Sequence, residues 1–234
     1  MQKNNITILS TGALEKEFVD IAFDLDIIVE TIPFIATSPV ATAELQKTLE
    51  PLVRQQAFVI ITSSNAVEAL AASLPVSPTS WAFFCIGHAT GAKVRKYFAA
   101  STIAATADNA KGLVQEIVNR GLPGEMIFFC GDQRRDELPD QLRARRVIVR
   151  EVVVYETIPT PQKLAKHYEG ILFFSPSAVK SFFSLNQPGP GTVLFSIGPT
   201  TAEALEAFTK NKIIIAERPE KEEVVDKAIE YFKQ

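Results

Sequence analysis

Hydrophobic and polar positions follow two alternating patterns along this chain. Short apolar runs such as Ala57–Ile61 and Trp81–Ile86 end abruptly at small hydroxyl residues or at glycine, as buried parallel strands do. After each run, apolar residues recur at helical spacing over roughly three turns. Strands separated by helices of this length are joined by right-handed crossovers. The pattern therefore predicts an α/β protein with parallel sheets.

The predicted elements cover most of the chain. The predicted strands are residues 5–9, 27–29, 57–61, 81–86, 102–104, 126–130, 147–149, 170–174, 193–197 and 212–215. The predicted helices are residues 13–23, 43–54, 65–73, 89–99, 111–120, 134–145, 161–168, 178–185, 200–209 and 221–232. Two extended segments, residues 30–36 and 151–159, interrupt the alternation, and each contains a proline that disfavours a central strand. We interpret them as connections that pair with each other in an antiparallel ladder.

A strand–turn–helix pattern occurs twice in the chain. Val67 and Val179 occupy matching positions 112 residues apart, and Gly87 and Gly198 lie 111 residues apart. A repeat of this length is too long for a solenoid and predicts two similar α/β domains, joined by a two-stranded β-ladder. The predicted domains are a discontinuous one of residues 1–34 and 160–234 and an inserted one of residues 37–153, with connecting strands at residues 31–36 and 152–159. Because Gly12 and Gly131 both follow strands, we expect the same units in permuted order.

Composition excludes several classes of function. The net charge of −3 provides no basic surface for nucleic acid, and no apolar run reaches the ~18 residues that a membrane span needs. Cys85 and Cys130 both lie inside apolar runs, which favours buried thiols in a reducing compartment. The chain contains neither a metal-ligand spacing nor a glycine-rich phosphate loop. We therefore expect a cytoplasmic protein without metal or cofactor.

The predicted strands end in loops that are rich in small polar residues. In open parallel sheets, ligands bind beyond the carboxyl ends of the strands, where helix N-termini present free N–H groups. Taken singly, each polar residue there is better explained as a helix cap. Six such loops in two matching sets favour a bound ligand instead. The candidate binding residues are Thr62, Ser63, Ser64, Asn65, Gly87, His88, Thr90, Ser175, Ser177, Gly198, Thr200 and Thr201.

Three charged or titratable candidates complete this set. Arg134 and Arg135 stand at the start of a predicted helix, where cations are unfavourable unless an anion binds there. An exposed surface pair is an equally good explanation. Tyr155 lies in the second connecting segment. Its phenol would either contact a ligand between the domains or fill a strand position in the ladder, for which tyrosine has a high propensity. The chain contains no Ser/His/Asp constellation that would indicate hydrolysis.

Four short stretches carry a resemblance to a known family. They are residues 61–67 (Ile-Thr-Ser-Ser-Asn-Ala-Val), residues 154–157 (Val-Tyr-Glu-Thr), residues 173–179 (Phe-Phe-Ser-Pro-Ser-Ala-Val) and residues 197–202 (Ile-Gly-Pro-Thr-Thr-Ala). In these stretches, and along its whole length, the chain resembles the uroporphyrinogen-III synthases, cofactor-free cyclases of tetrapyrrole biosynthesis with two α/β domains joined by a β-ladder. One departure is that Ser10-Thr11-Gly12 replaces the family's usual Thr-Arg pair, which removes one cation.

The resemblance implies a substrate and a mechanism. The substrate would be hydroxymethylbilane, a linear tetrapyrrole with a carboxylate-bearing acetate and propionate on every ring. Its closure to uroporphyrinogen III removes water and inverts the terminal ring, in a cleft between the domains. Tyr155 matches the family's tyrosine proposed to protonate the leaving hydroxide. We expect a monomer with no nucleic-acid or membrane partner. The alternative is a non-catalytic or regulatory protein of the same fold that binds a small anion.

Overall fold

A computed structural model describes residues 6–121 and 124–233, and these residues form two largely parallel β-sheets with helices packed against them. The strands are β1 (Ile6–Ser10), β2 (Ile27–Thr31), β3 (Ile35–Pro39), β4 (Ala57–Ile61), β5 (Trp81–Ile86), β6 (Thr102–Ala107), β7 (Glu125–Gly131), β8 (Ile148–Pro159), β9 (Gly170–Phe173), β10 (Val193–Ser196) and β11 (Ile213–Ile215). The helices are α1 (Lys16–Asp24), α2 (Ala43–Leu52), α3 (Ser64–Ser73), α4 (His88–Tyr97), α5 (Ala110–Arg120), α6 (Glu137–Ala144), α7 (Pro176–Phe183), α8 (Pro199–Glu206) and α9 (Lys221–Lys233). The predicted α/β class is therefore confirmed.

The chain divides into two compact units. The discontinuous unit consists of residues up to Ala36 together with those from Ile158 onward, and the inserted unit is Thr37–Thr157. The sheet of the discontinuous unit has the order β11-β10-β9-β1-β2, and that of the inserted unit has the order β3-β8-β7-β4-β5-β6. From β4 to β8, every pairing within the inserted unit's sheet is parallel, as is every pairing in the other sheet.

The two sheets have the same spatial order of strands, but the chain enters that order at different strands. In the inserted unit, the strands β4 to β8 lie in the spatial order third, second, first, fourth and fifth, read from β6 to β8. The discontinuous unit has the same order if its count begins at β9 and continues through β10 and β11 to β1 and β2. By this correspondence β1 matches β7, as predicted from Gly12 and Gly131. The sheets are thus circular permutations of one another.

The two connecting segments pair with each other. The Val40 N–H donates to the Val154 carbonyl at 2.9 Å, and the Thr160 N–H donates to the Phe34 carbonyl at 2.9 Å. Since the partner number falls as the residue number rises, the pairing is antiparallel, as expected for the ladder. The predicted break between residues 149 and 151 is wrong, because β8 runs without interruption from Ile148 to Pro159. Its early residues pair with β7 in parallel.

One predicted helix is not formed. Residues 161–168 are irregular, although their apolar spacing is helical. The Asn186 side chain takes over the hydrogen bonds of this backbone: its Oδ1 accepts from the Leu164 N–H at 2.9 Å, and its Nδ2 donates to the Gln162 carbonyl at 2.7 Å. The Tyr168 hydroxyl donates to Glu30 at 2.8 Å. Tertiary polar contacts therefore override the local helical pattern.

Each face of the inserted unit's sheet carries its own apolar layer. Neighbouring residues of a strand point to opposite faces, so Phe129 lies in a layer with α2, α3 and α4, whereas Phe128 lies in a layer with α5 and α6. We call these the α3 layer and the α5 layer. Cys85 lies in the first and Cys130 in the second, and both thiols are buried as predicted. Aromatic pairs such as Trp81 and Phe129, with centroids 5.6 Å apart, fill the α3 layer.

The buried thiols generate a prediction about stability and pH. Burial raises the pKa of the Cys85 thiol from 9.0 to about 12 and that of the Cys130 thiol from 9.0 to about 11. Above pH 9 the unfolded chain releases these protons while the folded chain keeps them, so the free energy of unfolding falls as pH rises. We expect a loss of about 2–3 kcal/mol between about pH 8 and about pH 10.

Urea unfolding in the presence of a reductant measures this loss. The matched control is the double variant Cys85→Ala/Cys130→Ala, which is less stable at both pH values but lacks the thiol contribution to the slope. An unchanged slope in the double variant would contradict the assignment of the loss to these two thiols.

Candidate active site

The candidate residues of the inserted unit lie at one edge of its sheet. Strands β4, β5 and β7 are parallel, so the loops that follow them meet at their carboxyl ends. These loops contain residues 62–65, 87–90 and 131–135. Strand β8 continues past this edge, which places Tyr155 beside the end of β7. The edge therefore gathers hydroxyl groups, helix N-termini and one phenol.

Ser63 has two roles at this edge. It has an extended backbone at the start of α3, and its Oγ accepts a hydrogen bond from the Asn65 N–H at 3.2 Å, so the helix-cap interpretation is correct for this residue. The same Oγ lies 3.3 Å from the Tyr155 hydroxyl oxygen. One lone pair of the Ser63 oxygen serves the helix, and the hydroxyl can still donate to the tyrosine oxygen. With Ser63 as the donor, the phenol proton is left to donate elsewhere.

Tyr155 reaches Ser63 because β8 contains a bulge. Cys130 pairs with Val153, but the next residue of β7, Gly131, pairs with Tyr155, so the register skips Val154. Strict alternation would turn Tyr155 away from the α3 layer that contains Val154. The extra residue instead brings Tyr155 to the same layer, against which its ring packs. The bulge thus aims the phenol toward the start of α3.

The Tyr155 ring passes directly over Gly131. A Cβ atom built on Gly131 would lie 2.4 Å from Cζ of Tyr155 and 2.7 Å from its hydroxyl oxygen. Strand β7 lies between β8 and β4, so the phenol crosses β7 at this glycine to reach Ser63. Burial raises the pKa of Tyr155, with smaller raising contributions from Cys130 and Asp132, whereas the hydrogen bond with Ser63 lowers it. The phenol is therefore protonated at neutral pH.

The other candidates of the inserted unit lie on the neighbouring loops. Gly87 precedes α4 with a φ of +81°, a left-handed conformation that favours glycine. His88 opens α4 and is exposed, whereas Thr90 is buried. Thr62 and Ser64 are partly buried, and Asn65 is exposed. The structure brings Ser63 and Tyr155 into contact, while the remaining loop residues line the same edge.

The two arginines have different surroundings. The Arg134 guanidinium forms ion pairs with Asp136 and Glu151, and the hydrogen bond to Asp136 is the largest cause of its raised pKa. Arg135 is exposed and has no ion pair within residues 6–121 and 124–233. The predicted helix start at residue 134 is wrong: α6 begins at Glu137, where the first helical bond runs from the Asp140 N–H to the Asp136 carbonyl. Arg134 is therefore neutralised locally, and Arg135 is not.

The discontinuous unit presents a matching edge. Ser175 caps α7 by accepting from the Ala178 N–H at 3.2 Å, and Ser177 is partly buried. Gly198 precedes α8, in which Thr200 is partly buried and Thr201 is buried. The Thr11 hydroxyl donates to the Leu172 carbonyl at 2.7 Å and is buried. Thr11, which stands where the resemblance implies a Thr-Arg pair, therefore links the end of β1 to β9.

Neither a metal centre nor a bilayer-spanning helix occurs in the part of the chain that the structure describes. Its residues contain no group of three His, Cys, Asp or Glu side chains that could hold a metal ion. No helix within the described ranges is long and apolar enough to cross a bilayer.

Comparison with known proteins identifies the family. The family model described as "Uroporphyrinogen-III synthase HemD" matches residues 17–226. The uroporphyrinogen-III synthase of Saccharomyces cerevisiae is 27% identical over 130 residues, which are 48% of this chain and 47% of the yeast protein. The match thus spans about half the length of this curated relative.

Solved structures agree with the fold. The crystal structure of uroporphyrinogen-III synthetase from Helicobacter pylori has a TM-score of 0.71 at 20% identity and covers 97% of this chain and 99% of its own. A mutant uroporphyrinogen III synthase from the extremely thermophilic bacterium Thermus thermophilus has a TM-score of 0.64 at 18% identity, covering 98% of this chain and 100% of its own. At these identities the likeness shows the fold alone. The family model, which matches most of the chain, shows that this protein belongs to the uroporphyrinogen-III synthase family.

Proposed function

We propose that the chain converts linear hydroxymethylbilane to uroporphyrinogen III, with loss of water and inversion of the terminal pyrrole ring. The observation that carries this proposal is the Tyr155 hydroxyl, held 3.3 Å from Ser63 at the carboxyl edge of the inserted unit's sheet. A protonated phenol at such an edge is a proton donor for a ligand bound by the surrounding loops. Family membership supports the same assignment.

Tyr155 would act as a general acid on the leaving hydroxyl group. Its phenol donates a proton as the carbon–oxygen bond breaks, so that water departs and the electron-rich pyrrole carries the positive charge. The Ser63 hydroxyl, donating to the tyrosine oxygen, stabilises the phenolate that forms. The unsubstituted ring carbon that forms the final bond of the macrocycle releases a proton, which restores the phenol. Atoms and charge balance without an external oxidant or reductant.

Substrate binding would rely on many weak donors. The predicted carboxylate-binding groups are the loop hydroxyls and helix N-terminal N–H groups of both units, including Ser175, Thr200 and Thr201. The chain's net charge of −3 provides no general attraction for a polyanion, so an exposed cation such as Arg135 contributes locally. We further propose a cytoplasmic monomer that works without a cofactor.

The direct test is a product analysis. Hydroxymethylbilane closes without catalysis to the type I isomer, so the purified protein is expected to shift the product to type III, measured by separating the oxidised porphyrin isomers. Unchanged type I product, together with saturable binding of the bilane, would identify a non-catalytic binding protein instead.

Removal of the phenol hydroxyl is the test of the acid. We expect Tyr155→Phe to fold normally and to lower kcat at least about tenfold, equivalent to ~1.4 kcal/mol of barrier. The residual product is expected to remain mainly type III, because the geometry of the bound chain decides the isomer. The matched control is Tyr97→Phe, which alters an exposed tyrosine at the end of α4. An undiminished kcat in Tyr155→Phe would show that Tyr155 has no catalytic role and only fills a position in the ladder.

The contribution of charge is tested at Arg135. We expect Arg135→Ala to raise KM about threefold at low salt, or ~0.6 kcal/mol, and to weaken the salt dependence of KM. Arg120→Ala is the control, because Arg120 ends α5 near the opposite edge of the sheet. Equal effects of the two substitutions would show that Arg135 acts only through net charge.

A further inference from the structure

We infer that Gly131 is a positioning residue for Tyr155: the lack of a side chain at this point of β7 lets the phenol ring cross the strand and meet Ser63. This inference rests on the proposed function for its catalytic consequence. Its structural part, the passage of the ring over a glycine, stands on geometry alone.

The geometry leaves no room for a side chain. An added Cβ would lie 2.4 Å from Cζ, 2.7 Å from Cε2 and 2.7 Å from the hydroxyl oxygen of Tyr155, whereas real Cβ atoms essentially never approach within 3.0 Å. Gly131 is not among the positive-φ glycines, so its backbone conformation accepts alanine without strain. The requirement for glycine at this position therefore comes from the tyrosine ring.

The backbone around Tyr155 is held in place. The Asp132 N–H donates to the Tyr155 carbonyl at 3.1 Å, and the Thr157 N–H donates to Oδ1 of Asp132 at 2.8 Å. These two bonds fix β8 at the tyrosine's carbonyl group and two residues beyond it. A methyl group at position 131 would consequently be relieved by rotation of the Tyr155 side chain, which moves the hydroxyl away from Ser63.

The glycine at the corresponding position of the discontinuous unit has a looser contact. Gly12, which follows the corresponding strand of the discontinuous unit, would place its Cβ no nearer than 3.2 Å to another heavy atom, at Cδ2 of Phe174. The shared topology thus does not by itself require so close an approach to the glycine. In the inserted unit, the β8 bulge and the absence of a side chain at Gly131 together position the Tyr155 phenol.

The kinetic test is a double-mutant cycle. We expect Gly131→Ala to lower kcat about tenfold with KM changed less than about threefold, because the acid is displaced while the binding loops remain. The double variant Gly131→Ala/Tyr155→Phe is expected to be no slower than Tyr155→Phe alone, since both changes act through the same hydroxyl. Gly191→Ala is the matched control, because a Cβ there meets no heavy atom within 4 Å. Additive losses in the cycle would overturn the inference.

A second test uses stability and needs no activity. Gly131→Ala is expected to destabilise the protein by a clash that disappears in the Tyr155→Ala background, where the space beside position 131 is empty. Urea unfolding of the four proteins of this cycle measures the coupling. If Gly131→Ala alone fails to fold, recovery of folding in Gly131→Ala/Tyr155→Ala supports the inference, and failure of both proteins overturns it.

The position of the ring is read directly by nuclear magnetic resonance. The chain has four tyrosines, so ring-carbon labelling gives few signals, and the Tyr155 signal is the one lost in Tyr155→Phe. Because Tyr155 is partly buried, we expect a water-soluble paramagnet to broaden this signal more strongly in Gly131→Ala than in the unaltered protein or in Gly191→Ala. Equal broadening in the three proteins would overturn the inference. This result is independent of cyclase activity, so failure of the proposed function would be recognised separately.

Discussion

The parallel pairing of β7 with β8 is the interaction on which the candidate site depends. It extends from Glu125 to Gly131 and holds β8 in the sheet until the strand passes the carboxyl edge. Beyond that point the same strand pairs antiparallel with the segment that includes β3 and so becomes the connection to the other unit. Tyr155 lies at the transition between these two pairings. One continuous backbone therefore supports the sheet, the connection and the phenol.

The one-residue bulge makes this arrangement chemically useful. Without it, β8 would present Val154 to the α3 layer and turn the next side chain to the opposite face. With it, Val154 remains buried while Tyr155 also enters the α3 side, where the cap residue Ser63 is already fixed by Asn65. The proposed acid is thus oriented by elements whose primary task is structural, namely a helix cap and a strand pairing. In the proposed reaction, such pre-arrangement would spare the hydroxyl reorganisation when a substrate binds.

Much of the fold is predictable from the sequence because apolar runs and turn residues agree along most of the chain. The repeat at Val67 and Val179 predicts two similar domains, and the permuted order follows from Gly12 and Gly131. The helix predicted over residues 161–168 is wrong because the Asn186 side chain binds their backbone, a contact that no local pattern contains.

The site is only partly predictable for the same reason. Tyr155 and Ser63 are both candidates from the sequence, but their contact depends on a register shift and on the missing side chain of Gly131, neither of which has a local signature. The sequence predicts that Gly131 follows a strand, but it does not predict that the tyrosine ring packs over this glycine. Arg134 looks like a free cation in the sequence, whereas its ion pair with Glu151 spans two elements that the sequence pattern treats separately.

The permuted topology also bears on how the chain acquires its structure during synthesis. The inserted unit is one contiguous segment, so all of its strands can pair soon after they leave the ribosome. Strand β1 is made first, but its neighbour β9 follows much later, as the Thr11–Leu172 bond across 161 residues illustrates. The strands β1 and β2 therefore lack β9, the central strand of their sheet, until the inserted unit has been synthesised. Until β9 is synthesised, nascent chains of this topology therefore expose the apolar residues of β1 and β2, which favours aggregation.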